Sequence, residues 1–212
     1  MKKKYIESIV HHYEECLDKH GDNHLGVDWP NEEDVAKRYR VMLDIVNYPA
    51  GERREKVSVL DFGCGASHLL SYILEKKMTN ILYAGLDISE KFISLSKSKF
   101  PDTKFYCTDI LNGDHGIPSF DYIIMNGVFT AKRSLTFEEM WAYFTNMLTK
   151  VYALAKIGIA VNFMSKAVDW ERHDLFHLSM DKLAEHLVKT CSRNFTIRND
   201  YGLYEYTVYI YK

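Results

Sequence analysis

Fourteen residues, Val57–Leu70 (VSVLDFGCGASHLL), constrain this chain more than any other stretch. A short apolar run ends in Asp61, passes a turn holding Gly63 and Gly65, and opens into a helical pattern of leucines. This reads as strand, glycine loop and helix start. The glycines leave room where a Cβ would meet the backbone or a ligand, and the first turn of the next helix offers free N–H groups. A nucleoside-bearing cofactor is the first expectation.

Spacing narrows it. A dinucleotide fingerprint wants glycine at the sixth position of GxGxxG, and His68 stands there instead. A second apolar run, ILYAGLDIS, ends in Asp87, and FYCTDIL places Asp109 just past a third. Asp87 lies 22 residues after Gly65, and Asp109 another 22 after Asp87. Acids closing three successive strands face one carboxyl edge of a parallel sheet.

As a set, these motifs resemble the class I S-adenosylmethionine-dependent methyltransferases. The resemblance runs over roughly residues 57–212 and implies an α/β, Rossmann-like fold. Its sheet would have seven mostly parallel strands with an antiparallel terminal strand, and helices on both faces. It implies S-adenosylmethionine as cofactor and S-adenosylhomocysteine as product. Asp61, Gly63 and Gly65 would form the glycine motif, and Asp87 with Ile88 would grip the ribose. Thr108, Asp109 and Ile110 would contact adenine, and Asn126, in the loop behind FDYIIMNGVF, would stand near the sulfonium. Ser67 replaces a third glycine found in many members, which is tolerable if its φ is negative, and it could cap the helix that follows.

The N-terminal stretch HGDNHLGVDWPNEEDVAKRYRVML resembles an element of a bacterial branch of small methyltransferases often encoded with surface-carbohydrate genes. The resemblance implies that residues 1–50 form a helical lid over a methyltransferase domain spanning 51–212, with Tyr13, Trp29, Arg38 and Arg40 closing over the methionine end. The plainer alternative makes Trp29 a hydrophobic plug and pairs the arginines with Glu32, Glu33 and Asp44. The apolar positions Ile6, Ile9, Val10, Tyr13 and Leu17 predict a helix from Lys4 to about Lys19, and Asn31 reads as the N-cap of a second over about Glu32–Val46. Pro49, Ala50 and Gly51 then release the chain into the first strand.

Downstream, Ser89 is expected to cap Glu90–Phe100, Thr136 to begin a helix to about Leu154, and Ser179–Cys191 to form another. The Phe/Met/Trp stripe of the Thr136 helix reads as core. IGIAVNFM reads as the fifth strand, and Phe195–Asn199 with Tyr204–Tyr211 as a closing pair.

At 212 residues and 47% hydrophobic the chain supports one well-buried domain. A formal charge of −2 gives no footprint for nucleic acid, so a small-molecule acceptor is favoured. Cys16, Cys64, Cys107 and Cys191 lack metal or disulfide spacing and are expected to be reduced and mostly buried, with no metal bound. With no signal-type apolar region or membrane-length run, a soluble cytoplasmic protein is expected, its oligomeric state open.

Methyl transfer needs an acceptor aligned in a dry pocket, and an amine or hydroxyl acceptor also loses a proton. Candidate bases are His12, His173 and His177, the last two sharing a face if KAVDWERHDLFHLS is helical, though histidines in a polar insertion are more often packing or surface residues. Phe129, Asn162, Tyr201 and Tyr204 are candidate acceptor-pocket residues. The favoured acceptor is small and polar, such as a sugar or nucleotide-linked precursor of surface carbohydrate. The rivals are a small carboxylic acid, which needs no base, an amine, and a non-catalytic cofactor-binding partner or sensor.

Overall fold

The computed structural model describes residues 2–47, 55–113 and 116–212. Pro49, Ala50 and Gly51, expected to lead into the first strand, lie outside them, as does the boundary at 50/51. The N-terminal segment forms α1 (Lys2–His20), a short 3-10 turn at Leu25–Val27, and α2 (Glu32–Leu43) with a 3-10 extension. Then come β1 (Val57–Phe62), α3 (His68–Glu75), β2 (Ile81–Asp87), α4 (Glu90–Lys99), β3 (Lys104–Cys107), β4 (Phe120–Met125), α5 (Phe137–Leu154) and β5 (Ala155–Ser165). The chain closes with β6 (His177–Leu178), α6 (Met180–Thr190), β7 (Phe195–Arg198) and β8 (Glu205–Tyr211).

The strands order as β3-β2-β1-β4-β5-β8-β7, with the two-residue β6 paired to the end of β5. β8 runs antiparallel to both neighbours, β5 and β7, and the pairs from β3 to β5 are parallel. This is the expected seven-strand pattern with one reversed strand, plus the short β6. The order reverses direction at β1, so the crevice beyond the carboxyl ends of β1 and β4 is where a ligand sits in such sheets.

Alternation along the strands divides the interior into two layers. Leu60 and Phe62 of β1 join one core with Met140, Phe144 and Val151 of α5 and Leu187 of α6. Val57 and Val59 join the other with Tyr39 and Met42 of α2 and Leu69 and Ile73 of α3. Both sheet faces are therefore covered, which is why the strands read as near-continuous apolar runs. The α5 stripe is core as expected, closed at its start by a capping box between Thr136 and Glu139.

Some local expectations are corrected. Asn31 stands at the N-cap position of α2 as expected, but its side chain makes no capping bond to the backbone, its amide donating to Asp34 Oδ2 at 3.0 Å instead. Ser67 adopts φ +58, the left-handed region, and does not cap α3. It is fully buried and donates to Ser96 Oγ at 2.8 Å, so a buried network holds the strained backbone. Of the four cysteines, all free, Cys64 alone is buried. No helix of the described residues is long and apolar enough to cross a membrane.

Candidate active site

At the carboxyl edge of β1, the chain turns through Gly63 at φ +77, where an added Cβ would stand 2.8 Å from Val128 Cγ2. The backbone N–H groups of Gly63 and Cys64 both donate to Leu86 O, at 2.7 and 2.9 Å, so the turn is laid across the end of β2. Asp87, at that end, accepts from Gly65 N at 2.8 Å and from Ser89 N at 3.0 Å. One carboxylate thus fixes both the glycine loop and the start of α4. Asp109 forms an Asx-type turn, accepting from Leu111 N at 2.9 Å and Asn112 Nδ2 at 2.8 Å.

These groups converge on a cavity of about 190 Å³. Asp61, Gly63, Gly65, Asp87, Ile88, Thr108, Asp109, Ile110 and Asn126 line it, and so do Tyr13 and Trp29. Burial raises the Asp61 carboxyl to about 7, against a hydrogen bond from Tyr83 and with the charge of Asp87 adding to the rise. Burial also raises Asp87, its backbone hydrogen bonds opposing the shift. Asn126 Oδ1 is buried and has no hydrogen-bond partner among the described residues, an orphan acceptor on the cavity wall.

The outer wall comes from the N-terminal segment. Ile6, Ile9, Val10 and Tyr13 of α1 face the cavity, the helix being tied down by contacts of Glu14 with Ser89 and of Asp18 with Lys91. Asp22 binds His68 and Lys99, each at 2.7 Å, pinning the segment beside the glycine loop. Burial, first among several effects, raises the Tyr13 hydroxyl to about 12, so it stays protonated.

Arg38 does not line this cavity. Its Nε donates to both oxygens of Glu205, at 3.1 and 3.0 Å, and its guanidinium lies 5.3 Å from the centroid of the Trp29 ring. Glu205, 3% exposed, also accepts from Asn162 Nδ2 at 3.2 Å, and Asn162 Oδ1 accepts from Gly127 N at 2.8 Å. Gly127 sits at φ +79, and a Cβ added there would stand 3.5 Å from the Trp29 ring. A buried polar chain from α2 through β8 and β5 therefore holds the Asn126-Gly127 loop.

The candidate acceptor-pocket residues lie elsewhere. Phe129 is fully buried in the α5 core against Phe144, their centroids 5.1 Å apart, and Asn162 is the buried link just described. The Tyr201 hydroxyl pairs with Thr207 Oγ1 at 3.0 Å, and Tyr204 is 68% exposed. Residues not singled out as site candidates also line the cavity, among them Val27, Tyr39, Tyr143 and Met147. Met147 was legible only as part of the core stripe of α5.

The three histidines separate. His173 and His177 share no helix: the first is exposed in a turn and the second is in β6. His177 Nδ1 lies 2.6 Å from Ser165 O and so donates to it, while Nε2 accepts from Arg172 N at 3.2 Å. Both nitrogens serve the backbone, which leaves no lone pair for a substrate. Replacing His177 with Ala is expected to cost about 1–3 kcal/mol of stability in denaturant unfolding, with cofactor affinity unchanged. His12 lies 2.8 Å from Asp28 Oδ2 through Nε2, and Arg133 donates to its Nδ1 at 3.0 Å. Since arginine only donates, Nδ1 is the acceptor and the ring proton on Nε2 points at Asp28. Cys16 stands close enough to make His12, Cys16 and Asp28 a candidate ligand trio, but the guanidinium occupies the approach a cation would use.

Residues 60–158 match the family model described as a methyltransferase domain. A provisionally named methyltransferase of Mycobacterium tuberculosis, Rv1506c, is 25% identical over 160 residues, 73% of this chain and 93% of that protein. Among solved structures, the plantazolicin methyltransferase BamL, crystallised with a triazolic desmethyl-plantazolicin analogue and S-adenosylhomocysteine, superposes with a TM-score of 0.67 at 16% identity, covering 98% of this chain and 99% of its own. Magnesium protoporphyrin IX methyltransferase from Synechocystis PCC 6803, with S-adenosylmethionine bound, gives 0.58 at 16% identity, covering 85% and 82%. The strand order, the glycine turn with its three acids and the matched domain together support a class I S-adenosylmethionine-dependent methyltransferase.

Proposed function

We propose that the protein transfers the methyl group of S-adenosylmethionine to a small polar acceptor, with residues 1–50 acting as the lid of a domain spanning 51–212. The carrying observation is the convergence of Asp61, Asp87, Asp109 and the orphan Asn126 Oδ1 on one cavity behind a glycine turn. The residues present suit this cofactor. Asp87 has lone pairs left for two ribose hydroxyls, Asp109 and the Thr108 and Ile110 backbone flank an adenine, and the unpaired amide oxygen and Asp61 suit the ammonium of its amino-acid end. The cofactor supplies an electrophilic methyl group on sulfur. The protein's part is alignment and exclusion of water by the apolar face of α1, Trp29 and Met147. Of the candidate bases His12 remains: it adjoins Tyr13 but faces Arg133 and does not itself line the cavity, so it would reach an acceptor proton only after Arg133 and its own side chain move.

A sugar or nucleotide-linked precursor is the acceptor class we favour. Incubation with methyl-labelled S-adenosylmethionine and fractionated nucleotide sugars tests it: labelled product supports the reading, and turnover only with amines or simple carboxylic acids overturns it. Cofactor binding without turnover on any acceptor fraction supports a sensor instead.

Asp61 makes a separate prediction. Its folded value of about 7 lies above the unfolded 3.8, so the ligand-free fold holds this proton more tightly. Its contribution to stability is therefore present below about pH 4 and falls as pH rises toward 7. An ammonium beside it favours the ionised form. Calorimetry at pH 7 in buffers of different ionisation enthalpy is expected to show proton release on cofactor binding, absent in Asp61→Asn.

A further inference from the structure

On the far side of α1 from the cavity lies an open groove of about 880 Å³, lined by Ser8, Arg133, Ser134, Trp170, Arg172, His173 and Asp174. Its floor is two loops, from the ends of β4 and β5, joined by backbone bonds. Lys132 N and Arg133 N each donate to Asp174 O at 2.9 Å, and Phe176 N donates to Thr130 O at 2.8 Å. Trp170 stands 69% exposed on this frame, an unusual position for a large aromatic side chain. The two arginines differ. Arg172 is neutralised by a two-point pair with Asp174, at 2.6 and 3.1 Å. Arg133, held at φ +54, makes no ion pair with a carboxylate among the described residues, and its guanidinium rests on the His12 ring.

We propose that this groove binds an anionic group of the methyl acceptor, a carboxylate or a phosphate, with Arg133 as its counter-ion and Trp170 as the platform for an adjoining ring. This rests on the methyl-transfer reading and specifies its substrate. A guanidinium presents a planar fork of donors that matches either anion, and a neutral imidazole is a partner it can give up for a charged one. Ser8 lies about 200° around α1 from Ile6, which faces the cavity. The anion and the methylated atom are then separated by about one helix diameter, on the order of 10 Å, which selects acceptors with a charged end and a remote nucleophile.

The test uses the full chain saturated with S-adenosylhomocysteine and titrated, by tryptophan fluorescence and ligand-observed NMR, with phenyl phosphate, benzoate and benzyl alcohol. One or both anions are expected to bind about tenfold or more tightly than the alcohol, and whichever wins identifies phosphate or carboxylate. Arg133→Gln should remove that advantage, Arg133→Lys should keep part of it, and Trp170→Phe should abolish the fluorescence change. Equal affinity for the three probes, or an Arg133→Gln protein that binds the anions unchanged, overturns the proposal. Titration of the cofactor alone reports on the methyltransferase reading independently. If the cofactor fails to bind, the anion titrations on the ligand-free chain still decide whether the groove is an anion site.

Discussion

Asp87→Ala is expected to weaken S-adenosylmethionine binding by about 2–3 kcal/mol, roughly 30- to 150-fold, the scale of lost charge-assisted hydrogen bonds. The carboxylate does two things at once. It accepts from Gly65 N and Ser89 N, which shapes the glycine loop, and its remaining lone pairs face the cavity. Asp87→Asn separates them: the amide oxygen can keep one backbone bond, while the charge and half the acceptor capacity are lost. Calorimetry measures affinity, and thermal unfolding without ligand measures the loop. A folded Asp87→Ala protein with unchanged affinity removes Asp87 from the ribose site, and a loss of stability equal in Ala and Asn forms assigns its effect to the loop.

The cavity residues legible in the sequence are those whose job is local. Gly63, Gly65, Asp61, Asp87 and Asp109 each sit at a strand end, and strand ends follow from apolar runs and turns within a few residues. Tyr13 followed from helical spacing, and Trp29 came only with the resemblance of the N-terminal element; both line the cavity. What escaped depends on contacts across the fold. Glu205 carries no local sign of its role: the apolar alternation in this stretch falls on Tyr206, Val208 and Ile210, yet β8 is covered on both faces and its other row is buried too. Arg38 shows no local sign of its partner, which lies 167 residues away. His177 would share a face with His173 only in a helix, and the pairing of β6 with β5 makes it a backbone clamp instead. Ser67 broke the rule for positive φ because Ser96 and the Gly65 carbonyl, joined at 3.0 Å, surround it with polar partners.

The polar chain behind Trp29 carries the largest expected effect on stability. Burial raises the Glu205 carboxyl, with the Arg38 charge foremost among the opposing effects. Removing the guanidinium in Arg38→Ala leaves a buried carboxylate with Asn162 alone, and breaking such a pair costs about 3–5 kcal/mol. Because a raised folded value means the fold holds the proton more tightly than the unfolded chain, the deficit is smallest at low pH and grows as pH rises above the ordinary glutamate range of 4.5. Urea unfolding of wild type and Arg38→Ala across that window should show diverging curves. Glu205→Gln, which still accepts from Arg38 and Asn162, should lose less and show no such divergence. Since Asn162 also fixes Gly127 N and thereby the loop bearing Asn126, Arg38→Ala should weaken cofactor binding although Arg38 never touches the cavity. A pH-independent deficit, or full cofactor affinity in the destabilised variant, would detach this chain of hydrogen bonds from the site it adjoins.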